Sequence, residues 1–288
     1  MRRSLIVLLV PFVVSITIPV LPAPPQGRLF IIGGGDRDEA MMRRFVDLAG
    51  RFGTGRIVVF PMASSEPKET GDNLVRELKK LGARDAVSHI LTREQALAEN
   101  SDRLLDGAGG VFFSGGDQSR QTAVLLHTPI HRRLLELYQA GCVMGGTSAG
   151  AAVMSRVMIT GDEVRKPEQG HEFETIEAGN VIAAEGFGFL KTAVIDQHFI
   201  VRKRLNRLIS LVAEQPDLLG VGIDESTAVV VEGGRTFEVI GEGQVLVFDG
   251  SSARVKTAAD RRLGFSGMVL HLLLPGDRFD LDLRKAVP

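Results

Sequence analysis

The chain has 288 residues, which leaves enough for one large α/β domain once an N-terminal segment is set aside. A formal net charge of −1, with no Trp and one Tyr, gives no broad electrostatic case for nucleic acid and no base-stacking surface. The single cysteine, Cys142, excludes an intramolecular disulfide framework and a cysteine-rich zinc site; between apolar neighbours it reads as a small core residue.

The first 26 residues form a unit of their own. Met1-Arg2-Arg3 precedes an uncharged, mostly apolar stretch to Ala23, followed by Pro24-Pro25-Gln26-Gly27. Positive charge, apolar run and a small residue near its end predict a secretory signal, hence export to the periplasm or medium. The same length fits an uncleaved membrane anchor. Pro11, Pro19 and Pro22 weaken a spanning helix, and Pro24 is a poor residue just past a cleavage site, so both readings stand. Residues 27–288 are read as a single domain.

Apolar, β-rich runs at 29–32, 56–60, 110–113, 142–144 and 193–195 alternate with stretches of helical period at 38–49, 73–81 and 131–139. That alternation predicts an α/β fold, a mostly parallel sheet with helices on both faces. Between 161 and 179 lies a charged segment carrying Glu163, Lys166, Glu168, Glu172, Glu174 and Glu177, a loop suited to the rim of a cleft. After residue 222 the pattern changes. Short strands at 228–232, 236–240, 244–248 and 267–274, joined by glycine turns such as Gly233-Gly234, predict a mostly antiparallel finish.

The chemistry centres on Gly145-Gly146-Thr147-Ser148-Ala149-Gly150-Ala151. A serine among glycines between an apolar run and a small-residue helix fits a nucleophile elbow. Small neighbours would admit an acyl group, and the helix start offers N–H groups and a positive dipole end to an oxyanion. A glycine turn cradling a phosphate is the plainer reading. A serine nucleophile needs a base, and the base needs an orienting acid. His198 ends the strand-like run Val194-Ile195-Asp196-Gln197, where open α/β sheets gather their chemistry; as an isolated residue it would read as a structural histidine. Asp224 and Glu225 open the next strand and compete for the orienting role. His89, His127, His131 and His271 lie in helix-like or strand-like settings without polar company, and His171 lies in the charged loop. The turn Gly115-Gly116-Asp117 could supply a second oxyanion donor or need its glycines for geometry alone. Gln118, just after it, can present donors and acceptors to a substrate. No internal repeat, low-complexity tract or HExxH metal signature is present.

Taken in order, Phe30-Ile31-Ile32-Gly33-Gly34-Gly35, Phe113-Ser114-Gly115-Gly116-Asp117-Gln118, the elbow, Asp196-Gln197-His198-Phe199 with Arg202, Arg204 and Arg207, Gly222-Ile223-Asp224-Glu225 and Gly241-Glu242-Gly243-Gln244-Val245 resemble the cyanophycinases. These belong to a serine peptidase family that also holds aspartyl dipeptidases of the peptidase E type. The resemblance runs from about Gly27 to about Gly250 and implies a fold related to class I glutamine amidotransferases. It also implies a homodimer; the serine chemistry read from the residues calls for no cofactor and no metal. The resemblance implies Ser148 as nucleophile, His198 as base and Glu225 as orienting acid. The oxyanion would meet N–H groups of Ala149 and of the Gly116-Asp117 turn.

Cyanophycin is a chain of aspartates whose side-chain carboxyls each carry an arginine, and the family releases β-aspartyl-arginine from it. Gln118, Asp196, Gln197, Arg202, Arg204 and Arg207 match the family's substrate positions. On helical spacing, Leu205, Leu208, Ile209 and Val212 form a core stripe that leaves Arg204 and Arg207 on a polar face, compatible with substrate binding or plain solvation. An imidazole near a carboxylate suggests a His198 pKa around 6–7. A peptidase for other aspartyl or isoaspartyl peptides, and an inactive exported binding protein, are the alternatives. A glutaminase is disfavoured because the elbow residue is serine.

Overall fold

The computed structural model describes residues 23–288 apart from 166, 167 and 169. The expected leader or anchor at 1–22, and Lys166, lie outside the described residues. Among the described residues no helix is long and apolar enough to cross a membrane.

The first half contains β1 (Arg28–Ile32), α1 (Glu39–Ala49), β2 (Arg56–Phe60), α2 (Pro67–Lys80), β3 (Asp85–Ser88), α3 (Arg93–Leu97) and β4 (Ala108–Phe113). It continues through α4 (Gln118–Leu125), α5 (Pro129–Ala140), β5 (Val143–Thr147) and the single turn α6 (Ala149–Ala152). The second half adds β6 (Val157–Glu163), β7 (Val181–Glu185), β8 (Ala193–Gln197), α7 (Leu205–Glu214), β9 (Leu219–Ile223), β10 (Thr227–Glu232), β11 (Thr236–Gly241) and β12 (Val245–Asp249). Five short strands follow: β13 (Arg254–Thr257), β14 (Leu263–Ser266), β15 (Val269–Leu273), β16 (Arg278–Asp280) and β17 (Lys285–Val287).

A nine-stranded sheet has the order β17-β16-β11-β10-β1-β5-β4-β2-β3. The stretch from β1 to β3 is parallel and the other four strands extend it antiparallel. Strand β1 shows why both faces are covered. Leu29 and Ile31 enter one core cluster and Phe30 and Ile32 another, all fully buried. Residues alternate across a strand, so each face needs its own cover. Helices α1 and α2 cover one face through Met42, Phe45, Leu74 and Leu78. The opposite face meets α5 through Ile130 and Leu134, and the α6 turn through Ala151 and Ala152.

The run at 193–195 does form a strand, but β8 does not join the large sheet. It pairs in parallel with β9 in a second, four-stranded sheet of order β15-β12-β9-β8, whose inward residues Ile195, Val221 and Val247 pack on the shared core. Period and composition define a strand without naming its neighbour, which is why the sequence could not separate the sheets. Helix α2 starts at Pro67, six residues ahead of the apolar pattern, because proline is pre-set for the first helical turn. The ribbon β6–β7 escaped prediction: β7 is largely exposed and carries no alternation of apolar residues.

Candidate active site

Ser148 follows the end of β5, and its backbone stands at φ 53°, ψ −112°, a conformation a residue with a Cβ rarely adopts. Its N–H donates to the Ile32 carbonyl at 3.1 Å, tying the turn to β1. The flanking glycines are needed for chain packing more than for access. A Cβ on Gly146 would lie 2.3 Å from the Gly150 carbonyl oxygen, and one on Gly150 would lie 2.2 Å from that of Phe113. Gly115 is the one that faces the serine, its Cβ position 3.4 Å from Ser148 Cβ.

His198 leaves the end of β8 with φ 50°, its N–H donating to the Gly33 carbonyl at 2.7 Å. Its Nδ1 lies 2.5 Å from Glu225 Oε1 and its Nε2 lies 2.8 Å from Ser148 Oγ. With Nδ1–H donating to the carboxylate, Nε2 is left to accept the hydrogen bond of the Ser148 hydroxyl. Asp224 and Glu225, neighbours in sequence, take different partners. Asp224 Oδ1 accepts the N–H groups of Ile200 and Val201 at 3.0 and 3.1 Å, closing the turn after His198, while Glu225 meets the ring.

A glycine run sits beneath this chain of groups. A Cβ on Gly34 would lie 2.2 Å from His198 Cε1. The run Gly33-Gly34-Gly35 after β1 is therefore the bare seat on which His198 and Glu225 rest. Three glycines at the carboxyl end of the first parallel strand were the signal that could have revealed it.

The oxyanion candidates divide. Among the described residues, no acceptor lies on the N–H of Ala149 or Gly116, so both remain free to donate. Asp117 does not: its N–H donates to the Ala63 carbonyl at 2.8 Å and its carboxylate caps α4 by accepting from Ser119 N–H. Helix α6 has only four residues, so individual N–H groups count there rather than a helix dipole.

The candidate substrate residues also divide. Asp196 is 0% exposed, and Arg207, 3% exposed, pairs with it through both Nε (2.7 Å) and Nη2. These two are spent on each other, and the polar face expected for Arg207 on α7 is a buried one. Leu205, expected in the core stripe, is exposed instead at the start of the helix. Gln118 is buried and its amide donates to the carbonyls of Ile159 and Thr160 at 2.8 and 2.6 Å, so both its donors are used by β6. Gln197 is buried, and its carbonyl accepts from Arg204 Nη1 at 2.8 Å. Arg204 is mostly buried and Arg202 half-exposed, the latter 4.0 Å from Glu225 Oε1. Both line a cavity of about 470 Å³, which Arg202 connects to Glu225 and which is lined also by Glu172, Phe173 and Glu174. Of the other histidines, His171 bonds Glu174 of the cavity lining, and His127 has polar company after all, Glu185 at 3.0 Å. His131 bonds the Phe187 carbonyl at 2.9 Å.

Burial pushes the His198 pKa below the ordinary 6.5; the Glu225 bond raises it back in part, and Arg202 and Arg204 push it down further. The carboxylate thus does not hold the ring in the upper part of the 6–7 range. A base must be neutral, so activity falls on acidification only as pH passes this lowered value. The acidic limb of kcat/KM is expected to turn over below pH 6.5. Glu225→Gln, which removes the raising contributions, is expected to move it lower still. An inflection at or above 6.5 in the wild type would contradict the assignment.

The sequence pattern of peptidase family S51 matches residues 29–239. A cyanophycinase from Nostoc sp. is 34% identical over 276 residues, covering 93% of this chain and 90% of its own length. One from Geminocystis herdmanii is 35% identical over 265 residues, covering 88% of this chain and 94% of its own length. Among solved structures, a peptidase from an acI-B1 actinobacterium shares the fold with a TM-score of 0.63 at 22% identity, over 88% of this chain and 96% of that one. With the motif matches spread over most of the length, the chain belongs to peptidase family S51, a family of serine-type hydrolases.

Proposed function

We propose that this hydrolase cleaves cyanophycin to β-aspartyl-arginine with Ser148 as nucleophile, His198 as general base and acid, and Glu225 as the group that orients the imidazole. The observation that carries the substrate is the similarity to cyanophycinases along nearly the whole chain. The hydrogen-bonded chain from Ser148 through His198 to Glu225 supports the mechanism. Ser148 Oγ attacks the scissile carbonyl carbon while Nε2 takes its proton. The oxyanion receives the N–H groups of Ala149 and Gly116. His198 then protonates the leaving amine, and water attacks the acyl-enzyme by the same route in reverse. The imidazolium that forms meanwhile is balanced by Glu225.

The substrate carries free carboxylates and guanidinium groups on each repeat. Arg202, Lys203 and Arg204 are the cavity's cations left for a carboxylate once Arg207 is bound to Asp196, and the two arginines offer the paired geometry a carboxylate takes. Asp196 and Arg207 act indirectly, by fixing the strand end that carries Gln197 and His198. The residues ahead of the described region support an exported enzyme, and N-terminal sequencing of protein from each cell fraction separates a cleaved leader from an anchor.

Incubation with insoluble cyanophycin and with a panel of α-linked and isoaspartyl peptides, read by mass, tests the substrate. Release of β-aspartyl-arginine with little attack on α-linked peptides is expected, because a site built for paired charges is left with unsatisfied polar groups by an unbranched chain. Cleavage of simple aspartyl dipeptides without attack on polymer would move the protein to the dipeptidase branch. Tight polymer binding without hydrolysis would make it a binding protein.

A further inference from the structure

The cavity lined by Arg202 and Arg204 has two walls of opposite charge. One wall is cationic: Arg202, Lys203 and Arg204 approach from the turn leading into α7. Arg204 is short of compensation. The carboxylate of Asp196, 3.8 Å from it, is already held by Arg207. Burial and the neighbouring Arg207 accordingly lower the Arg204 pKa to about 10. The facing wall comes from the charged segment between β6 and β7, where Glu172 and Glu174 line the same cavity.

That wall is anchored where it stands. Asn206 Nδ2 donates to the carbonyls of Phe173 and Glu174, both at 3.0 Å. The Phe173 N–H donates to Glu163 at 3.2 Å, and the Phe173 ring lies 5.5 Å from the Arg207 guanidinium carbon. The two glutamates are committed only lightly, Glu172 to the Gly170 N–H at 3.1 Å and Glu174 to His171 Nδ1 at 2.5 Å. A cavity of this polarity suits a zwitterion and disfavours a ligand of one sign.

We propose that Glu172 and Glu174 receive the side-chain guanidinium of the substrate's arginine, opposite the carboxylate held by Arg202 and Arg204. The assignment rests on the cyanophycin reading above and makes residues 170–174 the element that selects arginine. It acts in binding; no bond is made or broken there.

The test compares a soluble β-aspartyl-arginine oligomer with the same oligomer carrying citrulline, a neutral isostere of arginine. The wild type is expected to favour arginine by roughly tenfold in kcat/KM, the lower end of what charge-assisted hydrogen bonds contribute. The lower end applies because the Glu174 side chain is 62% exposed and screened by solvent. The double variant E172Q/E174Q keeps the local hydrogen bonds and loses the charge. Its preference is expected to collapse towards unity, with the citrulline oligomer cleaved within about twofold of the wild-type rate. A variant that retains the wild-type preference overturns the subsite alone. A wild type that cleaves both oligomers equally also overturns it, and one that cleaves neither overturns the cyanophycin reading beneath it.

Discussion

Replacing Ser148 with alanine is expected to lower turnover by on the order of 10⁴- to 10⁶-fold, the loss seen when the nucleophile is taken from a group that acts as a unit. Folding is expected to survive. The substitution removes one hydrogen bond, to His198 Nε2 at 2.8 Å, worth about 1 kcal/mol. The melting temperature should therefore move by no more than roughly 2–4 °C for a domain of this size. The unusual backbone at Ser148 is held by the bond to Ile32 and by the Gly146–Gly150 approach, neither of which involves the hydroxyl. Turnover and calorimetry on the same preparation check both halves. Substantial residual hydrolysis, with the fold intact, would remove Ser148 from the mechanism.

The second large effect is expected in stability. Arg207→Ala leaves the Asp196 carboxylate, 0% exposed, without its main partner. Breaking a buried pair from one side costs about 3–5 kcal/mol, since the remaining charge has neither water nor a counter-ion. Arg204 at 3.8 Å relieves only part of this. A fall in melting temperature of roughly 10 °C follows from that range. Arg207→Lys keeps the charge but loses the two-pronged geometry, and an intermediate fall is expected. Activity should drop with stability, because Asp196 stands two residues before His198 on β8. A wild-type melting temperature with a raised KM would restore Arg207 as a direct substrate contact.

Composition, period and motif order point to the family without the fold. The elbow around Ser148, the histidine past a strand end and the acid before β10 are local patterns, each written in a few contiguous residues. So were β1, β2 and α1, where alternation, β-branched runs and the Asp38 cap leave little choice. Pairing between distant segments is a different matter, because periodicity says nothing about partners. Only the folded chain moved β8 into a second sheet, set Glu225 rather than Asp224 against the His198 ring, and bound Asp196 to Arg207 eleven positions away. Likewise only close backbone packing explains Gly34 beneath His198, and only the fold commits the Asp117 N–H to the Ala63 carbonyl. The sequence determined which groups are present and in what order. The tertiary structure decided which of them touch, since charge pairs and van der Waals contacts act over a few ångströms and are set by distance in space rather than along the chain.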